Sequence, residues 1–137
     1  MFIIRKKFRV EYSHRLMSSY SECCQHIHGH SAIIELFFKS EKLNNDGMVM
    51  DFGQIKNIVN DYINTRFDHT LILHKDDPLI QIIGKGTKNN IYIIDENPTA
   101  ENFAKIIYNR IKDYNLPIYK VRFHETETGY AEYYEEK

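Results

Sequence analysis

Three of the seven histidines fall within Gln25-His26-Ile27-His28-Gly29-His30. Residues two apart on an extended chain share a face. His28 and His30 can therefore turn two imidazoles toward one ion, with Gly29 leaving the space between them clear. His14 lies at the end of an earlier extended run and supplies a third imidazole if that run pairs with the one carrying His28. His26 falls on the same face, and spacing alone leaves open which pair binds. Three neutral imidazoles leave the fourth position of a tetrahedral ion for water or substrate, the arrangement of a catalytic zinc rather than a structural one. Nickel, copper and iron also accept nitrogen-only ligands, with zinc favoured among them. A His-x-His pair by itself is also found on strands that bind nothing.

Cys24 stands four residues before His28, on the segment that leads into the histidine run. A thiol beside a cation or a protonated imidazole becomes a base or nucleophile, because positive charge favours the thiolate. Asp68-His69 follows a helical pattern and falls in a loop, where functional side chains concentrate. An Asp next to a His can fix its tautomer and support an imidazolium, although adjacent side chains usually bond poorly to each other. Glu125 closes an alternating stretch, and a carboxylate there can accept the hydrogen bonds of an aminopyrimidine edge, as carboxylates do from cytosine. Thr99 and Glu101 are explained first as the start of a helix, Thr99 as its cap and Glu101 favoured by the helix dipole.

These residues need elements to hold them. Ile3 to Tyr12 and Ser31 to Lys39 read as strands, separated by a polar loop over Ser18 to Gln25. Leu43-Asn44-Asn45-Asp46-Gly47 signals a turn, and Met48-Val49-Met50 resumes an extended run. Behind an N-cap at Asp51, Phe52, Ile55, Ile58, Val59, Tyr62 and Ile63 recur at helical steps, which predicts a helix over Phe52 to Arg66. Pro78 to Ile83 forms a short helix stopped by Gly84, and Ile91 to Ile94 a short extended piece. Pro98-Thr99 opens a second strong helix with Phe103, Ile106, Ile107, Ile111 and Tyr114 on one face, and Pro117 follows its end. Ile118 to Glu125 and Tyr130 to Tyr134 make a hairpin around Thr128-Gly129. The expected architecture is α+β, an antiparallel four-stranded sheet in the order β-β-α-α-β-β with two helices on one face. Ile, Phe and Tyr on both strand faces predict that other subunits cover the second.

The 137 residues fit one domain with a real core. Hydrophobic residues make up 42% and charged residues 27%, an ordinary globular balance. With a net charge of −1 and no long basic block, nucleic-acid binding has little electrostatic support. No apolar run approaches a bilayer span, and Met1-Phe2-Ile3-Ile4-Arg5-Lys6-Lys7 has charges and apolar residues in the wrong order for a signal peptide. No membrane association and a cytoplasmic location are expected. The two cysteines, Cys23 and Cys24, are adjacent and poorly placed to bridge each other, which fits a reduced compartment.

Taken in order, Ser13-His14-Arg15-Leu16, Cys24-Gln25-His26-Ile27-His28-Gly29-His30, Asp51-Phe52, Phe67-Asp68-His69, Pro98-Thr99-Ala100-Glu101-Asn102 and Glu125-Thr126 resemble the 6-pyruvoyl-tetrahydropterin synthase and 6-carboxytetrahydropterin synthase family over nearly the whole chain. The Cys-x-x-x-His-Gly-His piece is the most specific. The resemblance implies the tunnelling fold and a homohexamer, two trimers stacked face to face with active sites between subunits. It implies one zinc ion per subunit on His14, His28 and His30, with His26 an intervening residue. It further implies Cys24 as the catalytic cysteine and Asp68 and His69 as a catalytic pair lent by a neighbouring subunit. Glu125 becomes the pterin anchor, with Thr99 and Glu101 lining the pterin pocket.

The implied substrate is 7,8-dihydroneopterin triphosphate. The compact Cys24 to His28 spacing resembles the bacterial carboxy-forming enzymes, which serve queuosine and related deazapurine synthesis. The sister pyruvoyl synthase and a non-catalytic zinc- and pterin-binding relative are the alternatives. A zinc hydrolase unrelated to pterins fits the histidines but leaves the motifs from Asp68 to Glu125 without a role. One departure stands out: the family commonly has Phe and a small residue before the first ligand, where this chain has Val10 and Tyr12. Arg15 is a candidate for the triphosphate.

Overall fold

The computed structural model describes residues 1–19, 21–84 and 90–136. Its frame is a long antiparallel pair, β1 (Phe2–His14) and β2 (His28–Ser40), in register from Phe2 opposite Ser40 to His14 opposite His28. Strand alternation sorts the side chains of β1 cleanly. Phe8, Val10, Tyr12 and His14 are buried, while Lys7, Arg9 and Glu11 are exposed. On β2 the matching inward set is His28, His30, Ala32, Ile34, Leu36 and Phe38.

Helix α1 (Phe52–Arg66) spans the predicted residues, and Asp51 caps it by accepting from the Gln54 N–H at 3.1 Å. The short α2 (Leu79–Ile83) ends at Gly84, and α3 (Ala100–Asp113) is capped by Thr99. Ile55, Val59 and Ile63 of α1 and Phe103, Ile107 and Ile111 of α3 are each at most 1% exposed. They pack in a single core with the inward residues of β1 and β2. The hairpin β5 (Ile118–His124) and β6 (Tyr130–Tyr133) lies beside β2, and Val121 and Phe123 join the same core.

The α+β architecture is as expected, but the sheet is larger. Six strands run in the order β4-β3-β1-β2-β5-β6. The added pair is β3 (Thr70–His74) and β4 (Ile91–Ile94), parallel to each other, with β3 also parallel to β1. The sheet is therefore mixed rather than four-stranded and antiparallel. β3 is Thr-Leu-Ile-Leu-His, a short apolar run without alternation, which pairs as a strand because β1 offers it a long open edge. Met48, Val49 and Met50 form no strand; Val49 and Met50 lie in a bend against the core.

The second sheet face is not the apolar surface expected. Glu35 is 2% exposed there, held by Arg5 at 2.8 Å and also paired with Arg122 and His124. Burial pushes the Glu35 carboxyl up, but the His124 hydrogen bond and the charges of His124, Arg5 and Arg122 outweigh it and hold it below the usual carboxylate range. Arg122 and Lys120 both reach Glu132, at 2.6 and 3.2 Å. Phe37 lies beneath these cations, 4.7 Å from Lys120 Nζ.

Candidate metal centre and catalytic cavity

The inward face of β1 and β2 turns from apolar to imidazole at one end. Along β1 the sequence Val10, Tyr12, His14 continues one face, and His30 and His28 continue the opposite strand. Because His14 pairs with His28 and Tyr12 with His30, three rings share one patch. Ring centroids lie 4.6 Å apart for His14 and His28, 4.9 Å for His28 and His30, and 5.1 Å for His14 and His30. One ligand nitrogen from each falls within 4.8 Å of the others. A side chain at position 29 would crowd the Tyr12 carbonyl, since a Cβ there meets it at 3.2 Å.

The hydrogen bonds fix which nitrogens face inward. His14 Nδ1 donates to the Pro98 carbonyl at 2.6 Å, and His28 Nδ1 donates to the His26 carbonyl at 2.7 Å. A carbonyl only accepts, so in the neutral rings both Nε2 atoms carry bare lone pairs. These two atoms are 3.1 Å apart. Two nitrogens about 2.05 Å from a tetrahedral ion would stand about 3.3 Å apart. His30 Nε2 is buried with no hydrogen-bond partner among the described residues. Glu125 Oε1 adds a further electron-rich atom, 3.4 Å from His14 Nε2 and 3.6 Å from His30 Nε2. Such a cluster fits a cation, and the two backbone acceptors are the supporting partners that metal-binding histidines characteristically have. Burial pushes the His14 and His30 imidazoles below their ordinary pKa, with Glu125 opposing for both, which favours the neutral ligand form. His26 is outside the cluster and contributes only its carbonyl.

A cavity of about 370 Å³ opens on these rings. Cys24, Thr99, Glu101 and Glu125 line it together with His14, His28 and His30. Cys24 is partly exposed on a single 3-10 turn, Glu22–Gln25, and its carbonyl accepts from the Leu16 N–H at 2.9 Å, which ties the turn to the end of β1. Cys23 is exposed. Thr99 spends its hydroxyl on the α3 cap, accepting from Asn102 N at 3.3 Å. Glu101 sits in the first turn of α3, and Glu125 one residue beyond β5.

Asp68 and His69 are not in this cavity. His69 lines a separate one of about 480 Å³ with Glu11, Ser13, Thr70 and Asn90, although His30 borders both. The two neighbours do bond directly, contrary to the expectation for adjacent residues. His69 adopts φ 54°, and this left-handed turn brings His69 Nδ1 to 2.9 Å from Asp68 Oδ2. The other carboxylate oxygen accepts from the Glu11 N–H at 2.8 Å, and the His69 N–H donates to the Glu11 carbonyl at 2.6 Å. Burial raises the Asp68 pKa, but the bonds from Glu11 and His69 and the His69 charge outweigh it, so the carboxyl stays below its ordinary value. Arg15 is also elsewhere engaged. It binds the buried Asp77 through two bonds of 2.8 and 2.6 Å.

Three participants were beyond the reach of motif spacing. The Pro98 and His26 carbonyls are backbone groups with no residue-type signal. Tyr12, whose hydroxyl donates to Glu125 Oε1 at 3.3 Å, is signalled only as a departure from the family pattern.

Residues 3–136 match the 6-pyruvoyl tetrahydropterin synthase family. The 6-carboxy-5,6,7,8-tetrahydropterin synthase of Rickettsia typhi is 38% identical over 128 residues, covering 87% of this chain and 90% of the relative. The protein of the same name from Haemophilus influenzae is 30% identical over 142 residues, covering 98% and 100%. Among solved structures, an uncharacterized Wolinella succinogenes protein superposes with a TM-score of 0.82 at 24% identity, covering 98% of each chain. The 6-pyruvoyl tetrahydropterin synthase of Caenorhabditis elegans superposes at 0.68 with 21% identity, covering 98% of this chain and 96% of its own. The chain belongs to the 6-pyruvoyl tetrahydropterin synthase family. No helix among the described residues is long and apolar enough to cross a membrane.

Proposed function

We propose that this protein converts 7,8-dihydroneopterin triphosphate and water to 6-carboxy-5,6,7,8-tetrahydropterin, releasing acetaldehyde and triphosphate, as an early cytoplasmic step of queuosine and related deazapurine synthesis. It is a carbon–carbon lyase of the 6-carboxytetrahydropterin synthase type. The observation that carries this reading is the convergence of His14, His28 and His30 on a cavity whose walls also hold Cys24 and Glu125. The relatives from Rickettsia typhi and Haemophilus influenzae, both named for the carboxylated product, support it over most of the chain.

His14, His28 and His30 would hold one zinc ion. When bound, zinc supplies Lewis-acid polarisation to the hydroxyl oxygens of the substrate side chain. Cys24 removes a proton from the neighbouring carbon as the general base. Glu125 accepts from the amino-pyrimidine edge of the pterin and keeps the reacting carbon in register with the thiol, with Thr99 and Glu101 lining that end of the cavity. His69, fixed by Asp68 at Nδ1, offers Nε2 for proton transfer.

The Asp68–His69 pair works on the cavity of another copy of the chain, so the active unit is an oligomer, a hexamer built as a dimer of trimers. Its support here is that the His69 side chain is 80% exposed and faces a different cavity from Cys24. Incubating zinc-loaded protein with 7,8-dihydroneopterin triphosphate tests the reading. Acetaldehyde together with a carboxylated pterin is the expected result. A pyruvoyl pterin without acetaldehyde would reassign the product, and no turnover would leave a binding protein.

A further inference from the structure

We propose that Tyr12 is a positioning residue for substrate, holding the Glu125 carboxylate in the orientation that receives the pterin. This inference rests on the pterin reading above. The side chain stands where the family pattern commonly has a small residue. It is 4% exposed, and its ring is packed edge-on against His14, Phe103 and Phe123 at centroid distances of 5.1, 5.5 and 5.7 Å. Its fourth aromatic neighbour is His30, at 5.6 Å. A ring wedged on four sides has one orientation, and its hydroxyl therefore has one place to point.

That place is Glu125 Oε1, at 3.3 Å. Glu125 lies just past the last paired residue of β5, so the strand does not fix its side chain. Among the described residues the Tyr12 hydroxyl is its one hydrogen-bond donor. His14 Nε2, at 3.4 Å, faces it with a lone pair because Nδ1 carries the proton, and His30 Nε2, at 3.6 Å, makes no hydrogen bond to it. A carboxylate held by one hydroxyl keeps most of its acceptor sites for an incoming amino edge. Tyr12 itself does not line the catalytic cavity, so it acts through Glu125. The same ring touches two metal-binding histidines, and thereby couples the pterin anchor to the metal end of the site.

The test is Tyr12→Phe, which keeps the ring and removes the hydroxyl. Binding of neopterin, a fluorescent pterin without triphosphate, is measured by fluorescence titration alongside zinc content, Tm and the kinetic constants. Zinc stoichiometry and Tm should match the wild type, while the Kd for neopterin and the KM each rise about tenfold, the loss expected for one hydrogen bond to a charged group. The fall in kcat should be smaller, about threefold or less. In a Glu125→Ala background, Tyr12→Phe should change the Kd no further, because the two groups act as a unit. Unchanged Kd and KM in Tyr12→Phe would overturn the proposal, and so would a full additional effect on top of Glu125→Ala. A wild type that binds no neopterin would remove the pterin reading itself, whatever the variant does.

Discussion

The histidine triad and the Asp68–His69 pair are both imidazole sites held against β1, yet they are built in opposite ways. The triad sits at the end of the buried sheet face, its rings packed against one another and two of them fixed by backbone carbonyls. The pair sits on the open edge where β3 joins β1, with the Asp68 carboxylate anchored on the Glu11 N–H and the His69 ring in solvent. One site brings its three imidazoles together within a single chain. The other is oriented within the chain but lies outside the cavity that holds Cys24. The candidate metal cluster is thus gathered within one chain, whereas the Asp68–His69 pair faces outward, the arrangement that the shared-site proposal above requires.

The largest effects should come from the closed site. His28→Ala removes one of three ligands, and zinc measured by elemental analysis should fall from about one per chain to below about a tenth, with turnover lost. Full occupancy in that variant would pass the ligand role to His26. Cys24→Ala should leave zinc and assembly intact while lowering kcat by about a thousandfold, within the range for removal of a general acid–base group. A near-normal rate would take the thiol out of the reaction.

The contrast between the two sites can be tested by mixing them. Cys24→Ala and His69→Ala are each expected to be nearly inactive. Co-assembled in equal amounts, they should recover about one quarter of wild-type activity, because a site drawing the thiol from one copy and the imidazole from its neighbour is intact in one arrangement of four. Activity no greater than the sum of the separate variants would place both groups in the same chain, and the comparison above would fail.

Much of this was legible in the sequence because helices announce themselves locally. Asp51 and Thr99 mark the starts of α1 and α3, and apolar periodicity carries each to its end. Spacing placed His26, His28 and His30 on one strand face, and the choice of His28 and His30 together with His14 came from the family resemblance rather than from spacing. β3 was not, because five residues without alternation carry no period and form a strand only through tertiary pairing with β1 and β4. The polar character of the outer sheet face was hidden for a related reason. Arg5, Glu35 and Arg122 are far apart in the chain and meet only once the register of three strands is set. The bond between Asp68 and His69 required a left-handed backbone at a non-glycine residue, which residue type alone does not reveal.

The smallest predicted effect concerns what the open site contributes to stability. Asp68 has a folded pKa below its unfolded value of about 3.9, so its interactions favour the folded state above that value. As pH falls through the lower folded pKa the carboxylate is protonated in both states, and the contribution disappears. The wild type should therefore melt a few degrees above Asp68→Asn near neutral pH, where a modest interaction still shifts the Tm of a domain this size. The two curves should converge below about pH 4. The catalytic loss in the same variant should persist at neutral pH even at temperatures where both proteins are fully folded. If the Tm difference were instead constant across this range, the carboxylate charge would have no part in holding His69. The orientation of the exposed imidazole would then have to come from its left-handed backbone and the Glu11 carbonyl alone.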